Sequence, residues 1–248
     1  MRSTTPRPPE RKRTAVQSFT ESEEAQIESI GELTRSGLFD VEHEQEDMTF
    51  PLARFDPLSE TDPGWTGVVL SAGIKECALR FASLSCSWSF RGSERDLHGE
   101  FFLRHVYLAL IEDPPLCNDL ASERERELLS GLRMIDSAPR RATGEATFIR
   151  VEPHKENLEL WYQDRYLFDE KDNTQGFLRM ELDYCGYLDT LRMTKGAFGW
   201  QMLFVDSSLR DTGFRAHADN LRNMLDVFPS AFPQYDYTPL RNRLEARL

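Results

Sequence analysis

Residues 176–206 read GFLRMELDYCGYLDTLRMTKGAFGWQMLFVD, and we expect the elements of this stretch to form the centre of the molecule. Its first part carries apolar residues at steps of three and four, the spacing that places side chains on one face of a helix. The residues on that face are Leu178, Leu182, Cys185, Leu188 and Leu191. Lys195 and Gly196 follow, and a cation followed by glycine is typical of a helix C-terminus. The pattern predicts an amphipathic helix that ends at Lys195.

The second part of the stretch is a nearly continuous apolar run from Trp200 to Val205. A short run of this kind is typical of a strand that is covered on both faces. Full burial of each large side chain stabilises a fold by about 1.5–3 kcal/mol, so this run is a strong candidate for the core. We therefore predict a helix, a glycine stop and a buried strand at the centre of the molecule.

Further elements are predicted upstream of this stretch. Residues 146–153 (ATFIRVEP) and 158–168 (LELWYQDRYLF) are rich in β-branched and aromatic residues, and a polar connection separates them. We interpret them as a hairpin. Near the start of the chain, Thr20 and Glu23 have the spacing of a capping box, and Gly37 is placed to end the helix that they begin.

Together these elements predict an α+β fold with a mostly antiparallel sheet flanked by helices. Residues 19–248 are expected to form a single compact domain, and residues 136–144 (DSAPRRATG) are the place where a subdivision would fall. Residues 1–18 are basic and proline-rich without an apolar period, so we expect a disordered, flexible tail there.

The chain carries a formal net charge of −12 and has a pI near 5.0. Nucleic-acid binding depends on Lys and Arg that neutralise phosphates, and anionic membranes attract the same side chains. The charge therefore speaks against both kinds of partner. No apolar run has the length of a membrane span or of a secretory signal, so the sequence predicts a cytoplasmic protein.

Most of this charge comes from one early stretch. Residues 21–62 contain thirteen acidic residues but only two basic ones, which gives a net charge of −11. The acids are densest at Glu42, Glu44, Glu46 and Asp47. Such a cluster is either a solvated face or a docking surface for a basic protein, which it attracts electrostatically. We take these four residues as the candidate partner-binding site.

The motifs of common catalytic and cofactor sites are absent from the sequence. It contains no GxSxG elbow, no GxGxxG and no GxxxxGK[ST] loop, so neither a catalytic residue nor a cofactor is predicted. Glu152, His154 and Glu156 alternate as metal ligands on a strand would, but Pro153 and Lys155 between them favour a turn. We therefore expect no metal site.

The four cysteines lie far apart in the sequence and form no CxxC pair; they are Cys77, Cys86, Cys117 and Cys185. Close pairs are typical of zinc sites, and none is present. Cys86 and Cys185 lie in apolar patterns, where a cysteine usually acts as a small hydrophobe. The sequence therefore predicts reduced thiols, without a zinc site or a disulfide framework.

The run YLDTLRMTKGAFGWQMLFVD, Tyr187–Asp206, has the hairpin before it and a helical tail with Phe-Pro pairs after it. In this combination it resembles the C-terminal part of proteins of the SUKH superfamily, over residues 145–248. Those proteins are largely immunity or partner-binding proteins of polymorphic toxin systems, with an α+β fold around a mostly antiparallel sheet. The resemblance therefore implies the same fold class and one side of a toxin–antitoxin pair, and it transfers no functional residue.

These observations lead to a hypothesis for the function. We expect a non-enzymatic protein-binding protein, namely an immunity protein that neutralises a basic toxin partner through its acidic surface. Two alternatives stay open: a hydrolase whose active-site residues are dispersed along the sequence, and a structural or assembly component held by the apolar faces of its terminal helices. A deep pocket with convergent titratable groups would favour the hydrolase.

Overall fold

The computed structural model of the protein describes residues 18–46, 58–60, 63–92, 95–117, 121–141, 144–169 and 174–248. The helices are α1 (Glu21–Ser36), α2 (Ala72–Cys77), α3 (Val106–Leu110), α4 (Glu123–Gly131), α5 (Tyr184–Thr194), α6 (Arg215–Ala231) and α7 (Thr238–Arg247). The strands are β1 (Phe39–Gln45), β2 (Ser83–Phe90), β3 (His98–Arg104), β4 (Leu132–Ser137), β5 (Ala146–Arg150), β6 (Glu159–Asp169) and β7 (Thr174–Arg179). None of the described helices combines the length and the apolar character that crossing a membrane requires.

The strands form two antiparallel sheets beside these helices, which confirms the α+β prediction. The first sheet has the order β1-β2-β3, so β1 lies at its edge. The second has the order β4-β5-β6-β7, and its β5–β6 pair is the hairpin predicted from the sequence. One large cluster of buried apolar side chains contains residues of both sheets and of the helices. The core is therefore shared.

A side chain links the two sheets where β3 and β4 lie next to each other. The Phe102 amide of β3 donates a hydrogen bond to Asp136 Oδ1 of β4 at 2.8 Å. The pairing of β4 with β5 shifts in register between Met134 and Asp136. In a regular antiparallel sheet, a backbone carbonyl of the neighbouring strand accepts the hydrogen bond of such an amide. Here the side-chain carboxylate of Asp136 accepts it instead. Asp136 is buried at this junction.

The central helix α5 is shorter than the predicted one. It begins at Tyr184, directly after its N-cap Asp183. Leu178, which the helical spacing placed on the same face, lies in β7 instead and pairs with β6. The predicted end is confirmed, because Lys195 and Gly196 both adopt the left-handed conformation, with φ of 55° and 69°. The three- and four-residue spacing of apolar residues therefore extends from α5 back through the preceding turn into the end of β7, where it does not indicate a helix.

The strand predicted between Trp200 and Val205 is wrong. Residues Trp200–Phe204 form a 3-10 helix, and Val205 makes an isolated bridge to Met180. Gly199, at φ 79°, turns the chain into this helix. The predicted burial is confirmed, because the apolar side chains of the run are at most 5% exposed. A short run that is buried on all sides suits a strand and a helix alike, so its pattern did not separate them.

Helix α1 begins and ends where the sequence predicts. The Thr20 hydroxyl accepts a hydrogen bond from the Glu23 amide at 3.2 Å, and the Glu23 carboxylate accepts one from the Thr20 amide at 2.8 Å. The capping box is therefore confirmed. Gly37 ends the helix in the left-handed conformation, and Ile30 and Leu33 of its apolar face are buried.

A disulfide joins Cys77, the last residue of α2, to Cys185 in α5. The prediction of reduced thiols without a disulfide is therefore wrong for this pair. The two cysteines are separated by 108 residues, and their Cα atoms lie 5.6 Å apart. The packing of α2 against α5 brings them together, so no local spacing indicates the bond. Cys86 is buried and Cys117 is exposed.

Candidate functional site

The predicted partner-binding residues belong to the edge strand β1 and its continuation. Glu42 and Glu44 lie on the strand, and because side chains alternate there, both point to the same face. Their side chains are 76% and 77% exposed. Glu46 is exposed directly after the strand, and Asp47 lies outside the described residues. We call Glu42, Glu44 and Glu46 the acidic row.

Arg140 partly neutralises the acidic row. Its guanidinium contacts the Glu42 carboxylate directly and lies 3.8 Å from Glu44 Oε1. All three side chains are well exposed, and ion pairs in water contribute only about 0–1 kcal/mol. The Arg140 amide donates to Glu100 Oε1 at 2.8 Å, which holds the segment that carries it. A cation of a partner can therefore replace Arg140 at little cost.

Two acids of the early stretch serve the interior and not the surface. Glu23 is fully buried, and its carboxylate oxygens accept bonds from Arg80 Nε at 2.8 Å and from Arg80 Nη2 at 2.6 Å. Although burial raises the pKa of Glu23, hydrogen bonds from Arg80 and from the Thr20 amide lower it below its ordinary value. Glu32 accepts a bond from the buried Lys195. These acids hold the fold together.

Lys195 connects several parts of the core. Its Nζ donates to Ser29 Oγ at 2.8 Å and to Glu32, and it lies 4.6 Å from the centre of the Tyr235 ring. Burial lowers the pKa of Lys195 to about 8, although Glu32 acts in the opposite direction. Its carbonyl accepts a bond from Trp88 Nε1 at 2.6 Å. The helix-end pattern predicted the position of this lysine but not its burial.

A second group of charged residues lies in the interior and consists of Glu145, Asp164 and His217. Glu145 directly precedes β5, Asp164 lies on β6, and His217 lies in the first turn of α6. His217 Nε2 is 3.0 Å from Glu145 Oε1 and 3.3 Å from Asp164 Oδ2. The three side chains are at most 10% exposed. We call them the Glu–Asp–His cluster.

The two carboxylates control the charge of His217. Burial disfavours the charged imidazole, but Asp164 and Glu145 outweigh burial and raise the pKa of His217 to about 9. Without a bound ion, the ring is therefore protonated at neutral pH. The imidazole thus lies between two acidic side chains in the interior. The Arg141 guanidinium interacts electrostatically with Glu145, but it also interacts with Glu100, so it is shared between the two carboxylates.

A small cavity with polar walls lies next to the cluster. Its walls include Glu100, Asp136, Arg141, Glu145 and Gln201. Its volume is about 20 Å³, which gives room for roughly one water molecule. Titratable groups therefore converge here, as the hydrolase alternative requires, but a substrate would fit only after the walls move apart.

Asp136 is a further buried carboxyl at this cavity. Its Oδ2 accepts a hydrogen bond from the Tyr187 hydroxyl at 2.6 Å, and that hydroxyl also lies 3.0 Å from Thr147 Oγ1. Burial raises the pKa of Asp136 to about 7, although the bonds from Tyr187 and from the Phe102 and Ser137 amides lower it. Asp136 therefore exchanges a proton near neutral pH, a property that it shares with catalytic acids and bases.

The alternating residues Glu152, His154 and Glu156 follow the end of β5, and a turn interrupts them as predicted. Glu152 pairs with Lys155 at 2.5 Å. His154 has φ 65°, and its ring lies against Gly67, where an added Cβ would be 2.7 Å from His154 Cε1. The structure thus directs Glu152 to a basic neighbour and His154 to a backbone contact.

Sequence reasoning missed the Glu–Asp–His cluster because its members are distant in the chain. Glu145 and His217 are 72 residues apart, and only the packing of α6 on the second sheet joins them. One signal was present in the predicted hairpin. Asp164 follows the apolar run Leu160–Tyr162 within one strand, and a carboxylate at a buried strand position needs a partner.

No family model matches the chain. No curated protein and no solved structure matches it either. The resemblance to the SUKH superfamily therefore stays a prediction, and the function rests on geometry and charge.

Proposed function

We propose that the protein is a non-enzymatic binding protein that holds a basic protein partner on the acidic row, as an immunity protein holds a toxin. The observation that carries the proposal is the position of the row on an edge strand. Within the described ranges, β1 pairs only with β2, so its other side presents backbone N–H and C=O groups. Charge and main-chain hydrogen-bonding capacity therefore coincide in one place.

An extended segment of the partner fits this edge by adding a strand. In this binding mode the main-chain hydrogen bonds supply affinity, and alternate side chains supply specificity. Lys or Arg at every second position of the segment would meet Glu42 and Glu44. The net charge of −12 attracts such a partner over longer distances and raises the rate of encounter.

Arg140 sets a threshold for this binding. A cation of the partner has to replace Arg140 at Glu42 or share the carboxylate with it. Since the pair is exposed, its replacement costs about 1 kcal/mol or less. Arg140→Ala should therefore tighten the binding of a basic segment slightly, and a tighter complex of this variant would support the proposal.

The main test is a binding measurement with a lysine-rich extended peptide as the probe. We compare E42K/E44K with D219K/D226K, which changes the net charge equally at exposed positions of α6. The first variant should bind about tenfold more weakly or worse, because two attractions become repulsions. The second should stay within about twofold of the wild type. Equal losses in both variants, or unchanged binding in the first, would contradict the proposal.

The immunity role has its own test in cells. If a gene next to this one encodes a toxin-like protein, co-expression of the wild-type chain should protect cells from it. E42K/E44K should protect less well than D219K/D226K, since only the first variant changes the acidic row. Full protection by E42K/E44K would show that the acidic row is not needed for protection.

The cytoplasmic location stays a prediction, and the disulfide opposes it. Bonds such as Cys77–Cys185 persist mainly in oxidising compartments and are rare in the cytosol. Fractionation of cells that produce the full chain at its natural level would decide between the cytoplasm and an oxidising compartment. Recovery in the periplasmic or extracellular fraction would show that the cytoplasmic prediction is wrong.

A further inference from the structure

We propose that Glu145, Asp164 and His217 bind one divalent metal ion of the zinc type, which ties α6 to the second sheet. The inference does not depend on the partner-binding proposal, because the cluster lies in the interior while the acidic row lies on an exposed edge.

The donor atoms already have a spacing that suits one ion. Glu145 Oε1 and Asp164 Oδ2 lie 3.0 and 3.3 Å from His217 Nε2, and the three donor atoms lie within 4.8 Å of one another. Metal–ligand bonds of about 2.0–2.2 Å in a tetrahedron place neighbouring donor atoms about 3.3–3.6 Å apart. Small movements of the side chains are therefore enough to close the cluster around an ion.

The imidazole is held in position by its surroundings. The Phe198 ring stacks on the His217 ring with their centres 4.4 Å apart, and Gly199 leaves the room in which His217 lies. One turn along α6, Asn220 donates to the Phe198 carbonyl at 2.9 Å and accepts a bond from the His98 amide at 3.0 Å. The ring stack and the packing of this part of α6 therefore restrict the orientation of the His217 ring.

A buried hydroxyl beside the cluster provides a further observation. Tyr162 is fully buried next to the carboxylates of Glu145 and Asp164; its hydroxyl interacts with Glu145, but within the described residues it makes no hydrogen bond of normal geometry. A buried polar group in this state costs about 1–3 kcal/mol. A water molecule bound to an ion in the cluster would offer the Tyr162 hydroxyl a well-aligned hydrogen-bond partner.

The charge of the ligand set suits a divalent ion. Metal ions bind deprotonated carboxylates and neutral imidazole. Two carboxylates and one imidazole therefore supply two negative charges, which one divalent ion balances.

The ligand set indicates which ion binds. One imidazole nitrogen and two carboxylate oxygens suit Zn²⁺, which commonly takes three protein ligands and one water molecule. Ca²⁺ requires six to eight oxygen ligands, so it suits the cluster poorly. The cavity of about 20 Å³ that Glu145 lines adjoins the cluster and has room for roughly one water molecule.

The experiment uses the full chain, freed of metal by dialysis against a chelator and then titrated with zinc chloride against a chromogenic competitor. We expect one zinc ion per chain and a higher melting temperature in zinc, because a ligand that binds the folded state stabilises it. E145Q and D164N preserve the shapes of the side chains while they remove a charged ligand. Each removes a ligand itself, so each should weaken zinc binding at least as much as the loss of an outer-shell partner does, by about 10–100-fold or more.

The matched control is H154A, which removes a histidine outside the cluster and should bind zinc as the wild type does. Circular dichroism of each metal-free variant shows whether it is folded. For a variant that unfolds, the absorption spectrum of Co²⁺ in the wild type replaces the affinity measurement, because tetrahedral nitrogen and oxygen ligation gives intense visible bands.

Three results would overturn the inference. They are a wild type that takes up no zinc and melts at the same temperature with and without it, zinc affinities of E145Q and D164N equal to that of the wild type, and an octahedral Co²⁺ spectrum. The first two results would mean that the cluster is an ion pair only, and the third that it does not hold an ion with the tetrahedral geometry of zinc.

Discussion

Gly199 shows how much a single missing side chain matters. It has φ 79°, and an added Cβ would lie 2.6 Å from His217 Cδ2. Gly37 has a similar φ of 67°, but no atom of the described residues lies within 4 Å of its added Cβ. The two glycines therefore separate the cost of the backbone conformation from the cost of a collision.

We predict that Gly199→Ala destabilises the protein more than Gly37→Ala does. The left-handed conformation alone should cost about 1 kcal/mol in Gly37→Ala, and the displaced His217 should add about 1–3 kcal/mol in Gly199→Ala. Urea denaturation of both variants measures the two free energies of unfolding. Equal losses would mean that His217 moves aside freely.

Glu23 gives the fold a defined sensitivity to acid. The folded-state pKa of this carboxyl lies below its ordinary value of 4.5, so its contribution is present above that pH and is lost as the pH falls through the folded pKa. Glu23→Ala should cost about 3 kcal/mol at pH 7, because Arg80 then loses its buried partner.

Unfolding free energies of wild type and Glu23→Ala, measured from neutral pH downwards into acid, test this prediction. The difference between the two proteins should shrink as the pH falls through the folded-state pKa of Glu23, because protonation removes the charge that pairs with Arg80. Glu24→Ala, at the exposed neighbouring position, serves as the control. A difference that stays constant with pH would contradict the assignment.

Local rules at the residue scale were reliable where all participants are neighbours in sequence. Thr20, Glu23 and Gly37 were placed correctly because a cap involves residues within one turn. The same rules gave no indication that Arg80 completes the cap, since it is 57 residues away from Glu23. The sequence therefore predicted the geometry of the helix start but not its strongest bond.

Among the elements, the hairpin of β5 and β6 was predicted and the 3-10 helix at Trp200–Phe204 was not. The hairpin has alternation and a polar connection, which are properties of the segment itself. The run after Gly199 is buried by α5, α6 and α7 together, so its conformation depends on surroundings that periodicity does not contain. Burial could be predicted there, but the type of element could not.

The disulfide holds one helix against another: α2 has only six residues, and its C-terminus is joined to α5. An isolated helix of this length is unstable, so α2 depends on tertiary contacts. We predict that Cys77→Ser with Cys185→Ser lowers the free energy of unfolding by about 2–5 kcal/mol, since a long loop in the unfolded chain is no longer closed.

Guanidinium denaturation of the double variant and of the wild type, both without reductant, measures this loss. Cys117→Ser should leave the stability unchanged, because that side chain is exposed. A wild type that shows the same stability with and without a reductant would contradict the role of the bond.

At the scale of the whole molecule, both sheets contribute to one core. Leu84 and Phe101 of the first sheet belong to the same buried cluster as Ile149 and Tyr162 of the second. We therefore predict a single cooperative unfolding transition, in which the calorimetric enthalpy equals the van 't Hoff enthalpy. Two separate transitions would instead indicate a division near residues 136–144.

The charge distribution was accessible from composition, and the interior site was not. Summing the charges of residues 21–62 predicted the acidic row, because its acids alternate within one short segment and β1 leaves them exposed. The Glu–Asp–His cluster forms only when α6 closes on β5 and β6, a long-range event. Composition also counted Glu23 and Glu32 as surface charge, although the core holds both in ion pairs.

The four cysteines differ in their accessibility to reagents, which has a practical use. Cys77 and Cys185 are bonded to each other, and burial raises the pKa of the Cys86 thiol to about 12, so an alkylating reagent meets only the exposed Cys117 in the native protein. Denaturant should make Cys86 reactive as well, and reduction in denaturant should make all 4 cysteines reactive. A fluorophore can therefore be attached at one defined position without any mutation.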